Sequence, residues 1–336
     1  MTDLLFTRIT GRLLLICLFL GLLLAAALLL AAAIGSSNKS PLAVIDFVRA
    51  LSEPGSTEHT IIWKIRLPRV LLAAMVGATL SLGGLVFQVL LRNPLAEPYI
   101  LGVSGGAAVG AIAGMLIGIP FFPGVTASAF AGSMATLGIV MLLASGARAG
   151  GKDSLLLAGV MMNAFAGALI MFFISMSDSN RLHHILFWLM GDLAMADAAR
   201  LPLFGLILPC YLIIFILARP MNLLLAGRDA AASLGVNVRQ ISLTLLITAT
   251  FMVSLVVCLS GLVGFVGLVI PHILRLTIGP DHRLLVPASL LGGATYLVFC
   301  DLLARTLSAG GELPVGIITA MIGAPLFIFL LWRVRQ

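Results

Sequence analysis

The sequence predicts an all-α integral membrane protein of about ten transmembrane helices. Three features of the chain predict it. Of its 336 residues, 61% are hydrophobic and 10% are charged, where a soluble domain carries about 25% charged residues. Apolar runs near the roughly 20 residues needed to cross a bilayer recur along the whole chain. Gly, Pro and charged breaks separate these runs, with none of the alternation of a transmembrane β-barrel.

The runs lie at 13–34, 70–91, 99–119, 125–146, 154–176, 201–218, 240–262, 264–279, 284–304 and 313–332, in a single membrane domain over 1–336. Arg8 and Arg12 precede the first. A cleavable signal has an apolar core of about 7–15 residues, and 13–34 is longer, so a retained helix is expected. Residues 35–69 form an outer segment with a short helix expected near Pro41–Leu51. The second and third runs meet at a hinge, where Pro94 and Pro98 forbid one continuous helix. In the third run Gly102, Gly106, Gly110, Gly114 and Gly118 recur every fourth residue. On a helix they make a flat stripe that lets a neighbour approach closely.

Between the fourth and fifth runs, Gly146 to Asp153 nearly spells a phosphate-binding loop. Asp153 stands where a magnesium-binding hydroxyl is required, and no soluble strand precedes it, so a turn is expected. Residues 177–200 form a second outer segment. Within it Ile185–Met190 is too short to span and reads as an interfacial or re-entrant helix. His183 and His184 precede it as solvated loop histidines. The longest inner segment, 219–239, contains two expected short helices: Met221–Ala226, stopped by Gly227, and one capped by Asp229 and stopped by Gly235. Their exposed Leu and Ala faces suit a knob in a partner's cleft, or a segment lying on lipid.

An even number of spans puts both termini on one side. With that side inside, twelve of the 20 Lys and Arg residues are inner: Arg8, Arg12, Arg92, Arg148, Lys152, Arg219, Arg228, Arg239, Arg275, Arg283, Arg333 and Arg335. This bias favours cytoplasmic termini. Lys64, Arg66 and Arg69 cluster outside against it. The net charge of +7 gives no reason to invoke nucleic acid. Cys17, Cys210, Cys258 and Cys300 all fall in apolar runs and lack metal-ligand spacing. Gln88, Asn163, His272, Arg275 and Asp301 are the polar residues within spans, and Gln88 and Asn163 read as interhelical hydrogen bonders. Mid-membrane ionisable groups are scarce, which disfavours an ion-coupled secondary transporter of a small metabolite, the alternative function. No nucleophile–base pair or metal constellation points to an enzyme.

Longer stretches carry a resemblance. They are Arg66-Leu67-Pro68-Arg69; Gln88 through Gly106; Leu157–Val160; Trp188–Leu193; Ala232–Val236; Gly264–Arg275; Asp301–Arg305; and Glu312–Gly316. In this order they resemble the FecCD-type permease subunits of binding-protein-dependent ABC importers, which take up iron-siderophores, haem and cobalamin. The resemblance implies a type II ABC importer permease fold in a bacterial inner membrane. It implies a second permease subunit, expected as a homodimer, and two ABC ATPase subunits that use ATP and magnesium. It also implies a periplasmic or lipid-anchored substrate-binding protein. No catalytic residue, metal or cofactor is expected on this chain. By the same resemblance, Arg66, Arg69 and Arg305 meet acidic residues of the binding protein. The knob in the ATPase cleft carries Leu225, Gly227, Arg228, Asp229, Ala232, Ser233, Leu234 and Gly235. Asn93, Pro94 and Leu95 form the inner gate with the turn near Lys152–Ser154, and Asn163 is assigned to the pathway.

Overall fold

In a computed structural model, residues 2–34, 57–146, 152–194, 198–307 and 311–334 are described. Thirteen main helices follow one another: α1 (Thr2–Ala33), α2 (Leu67–Leu91), α3 (Val103–Leu116), α4 (Thr126–Gly146), α5 (Lys152–Ser175), α6 (Ser179–Leu189), α7 (Leu208–Ile216), α8 (Ala218–Ala226), α9 (Arg228–Ser233), α10 (Val238–Ser260), α11 (Val266–Ile278), α12 (His282–Thr306) and α13 (Val315–Val334). Among the described residues there is no strand. Among the described residues seven helical stretches are long and apolar enough to cross a membrane, and three shorter apolar helices fall at Val103–Leu116, Val266–Ile278 and Val315–Leu330. Together they account for the ten predicted runs.

Burial sorts the helices. α2 is apolar all round and buried on every side from Pro68 to Leu91, the pattern of a central helix. α12 lies along it, with α10 and α11 also against it. α1 exposes Leu14, Leu15, Leu18, Phe19 and Leu22, and α5 exposes Met161, Phe165, Met171 and Phe172, so both sit at the rim.

Glycine sets how closely these helices approach. A Cβ on Gly77 would run into the carbonyl of Gly293 on α12, and one on Gly84 into the carbonyl of Gly267 on α11. The predicted stripe divides by role. A Cβ on Gly106 would lie 2.5 Å from the Gly132 carbonyl, and Gly110 and Gly114 abut Ser128, so these three seat α3 on α4. Gly102 and Gly118 instead adopt φ of 80° and 77° at the ends of α3.

Several expectations are corrected. The second helix begins before residue 70: helical turns at Thr57–Thr60 and Ile61–Arg66 lead straight into α2. Arg66 and Arg69 therefore stand on a helix, because their charges find partners there. His183 and His184 lie within α6, which starts at Ser179 after an extended Asp178. The first knob helix starts before Met221: Ala218, Arg219 and Pro220 form the first turn of α8, where proline is tolerated. Asp229 is not a cap: Gly227 occupies that position, and Asp229 lies in the first turn of α9. The expected helix at Pro41–Leu51 and residues 147–151 of the loop before α5 lie outside the described residues.

Gly84→Ala is expected to destabilise the protein by about 1–3 kcal/mol, because backbone must shift to admit the methyl group. Gly138 has open space around its Cβ position, so Gly138→Ala should leave stability unchanged. Thermal unfolding in detergent checks both; equal midpoints for the two variants would contradict this packing.

Candidate functional site

Chemistry-bearing side chains collect at three levels of the bundle. At one end, the C-terminal carbonyls of α1 lack intrahelical partners. Arg66 Nη1 donates to the carbonyls of Ala32 and Ala33 at 2.9 and 2.8 Å. Arg305 donates to those of Ala31 and Ile34 at 3.0 and 3.2 Å. Two cations thus meet the negative end of α1. Between them Arg69 Nε donates to Asp301 Oδ1 at 2.9 Å, and Arg305 Nε lies 3.0 Å from Asp301 Oδ2, off the hydrogen-bond direction. Arg69 Nη1 also pairs with Glu312.

The structure therefore brings the three predicted docking arginines together, and it turns their donors inward. Arg69 and Arg305 are 8% and 4% exposed, whereas the Glu312 side chain is 32% exposed and covers Arg69 from outside.

The second level is the hinge. Arg92 closes α2 in the left-handed conformation, with φ of 48°. Asn93 Oδ1 accepts from the Leu95 amide at 2.9 Å, a side-chain turn that orients Pro94 and the exposed Leu95. After the hinge the chain is stitched to the start of α11. Glu97 Oε1 accepts from the Phe265 amide at 2.8 Å. The Tyr99 hydroxyl donates to the Val263 carbonyl at 2.9 Å, and Asn163 Nδ2 on α5 donates to the Tyr99 carbonyl at 2.9 Å. Gly267 lies against Leu80 and Gly84 of α2, so α11 begins inside the bundle rather than at its surface. The carboxylate of Glu97 supplies an acceptor at the positive end of that helix. Gln88 adds a second stitch: its Nε2 lies 3.4 Å from the Gly267 carbonyl, and its Oε1 accepts from Arg275 at 2.8 Å. Gln88 and Asn163 are interhelical hydrogen bonders, as their positions predicted.

The third level is the knob of α8 and α9. Gly227 joins the two helices at φ of 132°, and Gly235 ends α9 at φ of 83°, both left-handed positions that suit glycine. Met221, Leu224 and Ala231 are buried beneath it. Leu225, Asp229, Ala232, Ser233, Leu234 and Gly235 are exposed, with Leu234 at 66%. The knob lies at the end where α1 starts, since Thr10 and Leu13 share a cavity of about 410 Å³ with Ala218, Arg219 and Arg283. The arginine cluster, at the far end of α1, is on the opposite face.

Among the described residues no group of three or more His, Cys, Asp or Glu side chains could hold a metal ion. His183 and His184 line a cavity of about 220 Å³ with Phe121, Phe187, Trp188 and Asp192. Glu97, Tyr99 and Glu312 escaped residue-by-residue reading. Glu97 sits in a polar hinge where a carboxylate is unremarked, and only the fold places the start of α11 beside it.

The sequence profile of the FecCD transport family matches residues 22–333. The hemin transport system permease protein HmuU of Yersinia pestis is 42% identical over 328 residues, covering 95% of this chain and 96% of that protein. The vitamin B12 import system permease protein BtuC of Klebsiella pneumoniae is 41% identical, covering 82% of this chain and 83% of that protein. A solved inward-facing ABC transporter, described as of the metal-chelate type, superposes with a TM-score of 0.84 at 34% identity, covering 95% of this chain and 99% of that one.

Asp301→Ala would leave Arg69 and Arg305 without their shared carboxylate. The expected loss is about 3–5 kcal/mol, the cost of stranding buried charge. The half-exposed Arg283–Asp281 pair should cost no more than about 1 kcal/mol when Arg283→Ala removes it. Chemical unfolding in detergent measures both; a loss under about 1 kcal/mol for Asp301→Ala would contradict the assignment.

Proposed function

The chain belongs to the FecCD transport family, and on that premise we propose that it is the membrane permease subunit of an ATP-driven importer of metal chelates. The observation that carries this function is the family match over residues 22–333 on a bundle with an exposed knob at one end and a basic cluster at the other. The cargo is an iron chelate, haem or a ferric siderophore, or cobalamin. Haem stands first, because the similarity to the haem permease runs through 95% of the chain, against 82% for the cobalamin permease.

The ionisable groups of the spans support an external source of energy. Asp301 is held by two arginines, and Glu97 is spent on a helix start. Neither is poised to carry a coupled proton or sodium ion. In this function two ABC ATPase subunits bind ATP and magnesium and grip the knob of a permease homodimer. The chain itself holds no cofactor and performs no catalysis. A periplasmic or lipid-anchored binding protein delivers the chelate to the arginine face. The hinge at Asn93–Leu95 and Asn163 gate the pathway, and both termini lie in the cytoplasm of a bacterial inner membrane.

Docking on this face rests on Arg66, the accessible member of the cluster, and on release of Arg69 from Glu312. The two carboxylates compete: an acidic group of the binding protein reaches Arg69 only where Glu312 yields. Arg66→Glu should slow association of the binding protein with permease proteoliposomes about tenfold at low salt, since steering depends on local charge. Glu312→Gln should speed it. Surface plasmon resonance across a salt series checks both, and association rates that ignore both substitutions would remove the arginine face from the docking surface.

A further inference from the structure

α12 reaches both faces. Its 25 residues span about 37 Å at 1.5 Å per residue. Its C-terminal turns carry Asp301 and Arg305 into the arginine cluster. Its middle touches α2 at the Gly77–Gly293 crossing, where no side chain separates the two backbones. Its N-terminus meets the knob.

That last junction is polar and specific. Asn222 lies on α8 between the buried Met221 and Leu224. Its Oδ1 accepts from the backbone amide of His282 at 2.9 Å and lies 2.6 Å from His282 Nδ1. Its Nδ2 donates to Asp281 Oδ1 at 2.8 Å. Asp281 caps α12 by accepting from the Arg283 amide at 3.0 Å. Asn222 thus acts as a second cap, supplied from another helix, for the His282 amide that α12 cannot satisfy itself. Met221 and Leu224 give adhesion without direction. The three contacts of Asn222 fix the angle between α8 and α12, and a cavity lined by Ala218, Arg219 and Arg283 leaves the first turn of α8 otherwise loosely packed there.

Burial pushes the Asp281 carboxyl up, but hydrogen bonds from Arg283 and Asn222 outweigh it and hold the pKa at about 2, below the ordinary 3.8. A depressed carboxyl contributes its stability above the ordinary value and loses it only as pH falls through the lowered one. The junction therefore stays charged and intact at neutral pH.

We propose that Asn222 is the positioning residue that latches the knob to α12, and that α12 is the strut through which ATPase motion reaches the arginine face. This rests on the assignment of the knob as the ATPase contact. An element that both faces bias is what coupling between them requires.

The test uses the full complex of permease, ATPase and binding protein in proteoliposomes. The readout is the ratio of ATP hydrolysis with and without binding protein, together with retention of the ATPase on purification. Asn222→Ala should retain the ATPase and lower the stimulation ratio about fivefold or more, the scale of a typical coupling energy. Asn222→Asp, which sets two carboxylates against each other, should do the same. The exchange N222D/D281N restores an acceptor facing His282 and a donor between positions 222 and 281, and should recover most of the stimulation. Wild-type stimulation in Asn222→Ala, loss of its ATPase, or an exchange variant no better than Asn222→Asp would each overturn the latch. Leu234→Glu probes the knob separately. If that variant keeps its ATPase, the contact assignment fails whatever Asn222 does.

Discussion

The buried carboxylate of Asp301 fixes one end of the bundle. Its two oxygens lie 2.9 and 3.0 Å from Arg69 and Arg305. Through Arg305 it reaches the carbonyls of α1, through Arg69 it holds α2, and its own helix is α12. A carboxylate buried this deeply is unfavourable unless it is paired, and one carboxylate between two cations leaves positive charge to be met. The C-terminal dipole of α1 and the carboxylate of Glu312 meet it. Four segments distant in sequence are thereby held at one point, and the rim helix α1 is anchored although most of its surface faces outward.

The middle of the bundle follows a related rule at lower cost. A helix that starts inside an apolar bundle has amides that water cannot reach. Glu97 meets the Phe265 amide at the start of α11, Tyr99 binds Val263 just before it, and Asn163 ties the same hinge to α5. The hinge and the start of α11 are consequently one unit, and movement of the hinge must either carry α11 along or break these bonds. Asn222 and α12 stand in the same relation at the knob end of the bundle.

Much of this was legible in the chain. The apolar runs placed the seven membrane-length helical stretches and the three shorter apolar helices, and Pro94 with Pro98 placed the hinge. Gly227 and Gly235 marked the knob because left-handed turns need glycine there. Where sequence failed, partners distant in the chain were the cause. The run beginning at residue 70 looked closed off by Arg66 and Arg69, yet the helix continues through them because Asp301 and the end of α1 neutralise them. The same pairing makes Arg69 and Arg305 interior residues, which no local pattern reveals. Asp229 looked like a cap, but Gly227 alone can take the φ of 132° that the turn requires. Glu97 and Asn222 act on helix starts far along the chain, so their neighbours in sequence say nothing of their roles.

The most direct measurement is uptake by the reconstituted permease, ATPase and binding protein in liposomes, with haem, ferric siderophore and cobalamin offered side by side. An importer of metal chelates accumulates one of these only when ATP is supplied on the ATPase side, and a protonophore does not stop it. Accumulation that ignores ATP and collapses with the protonophore would contradict ATP-driven import and favour an ion-coupled carrier.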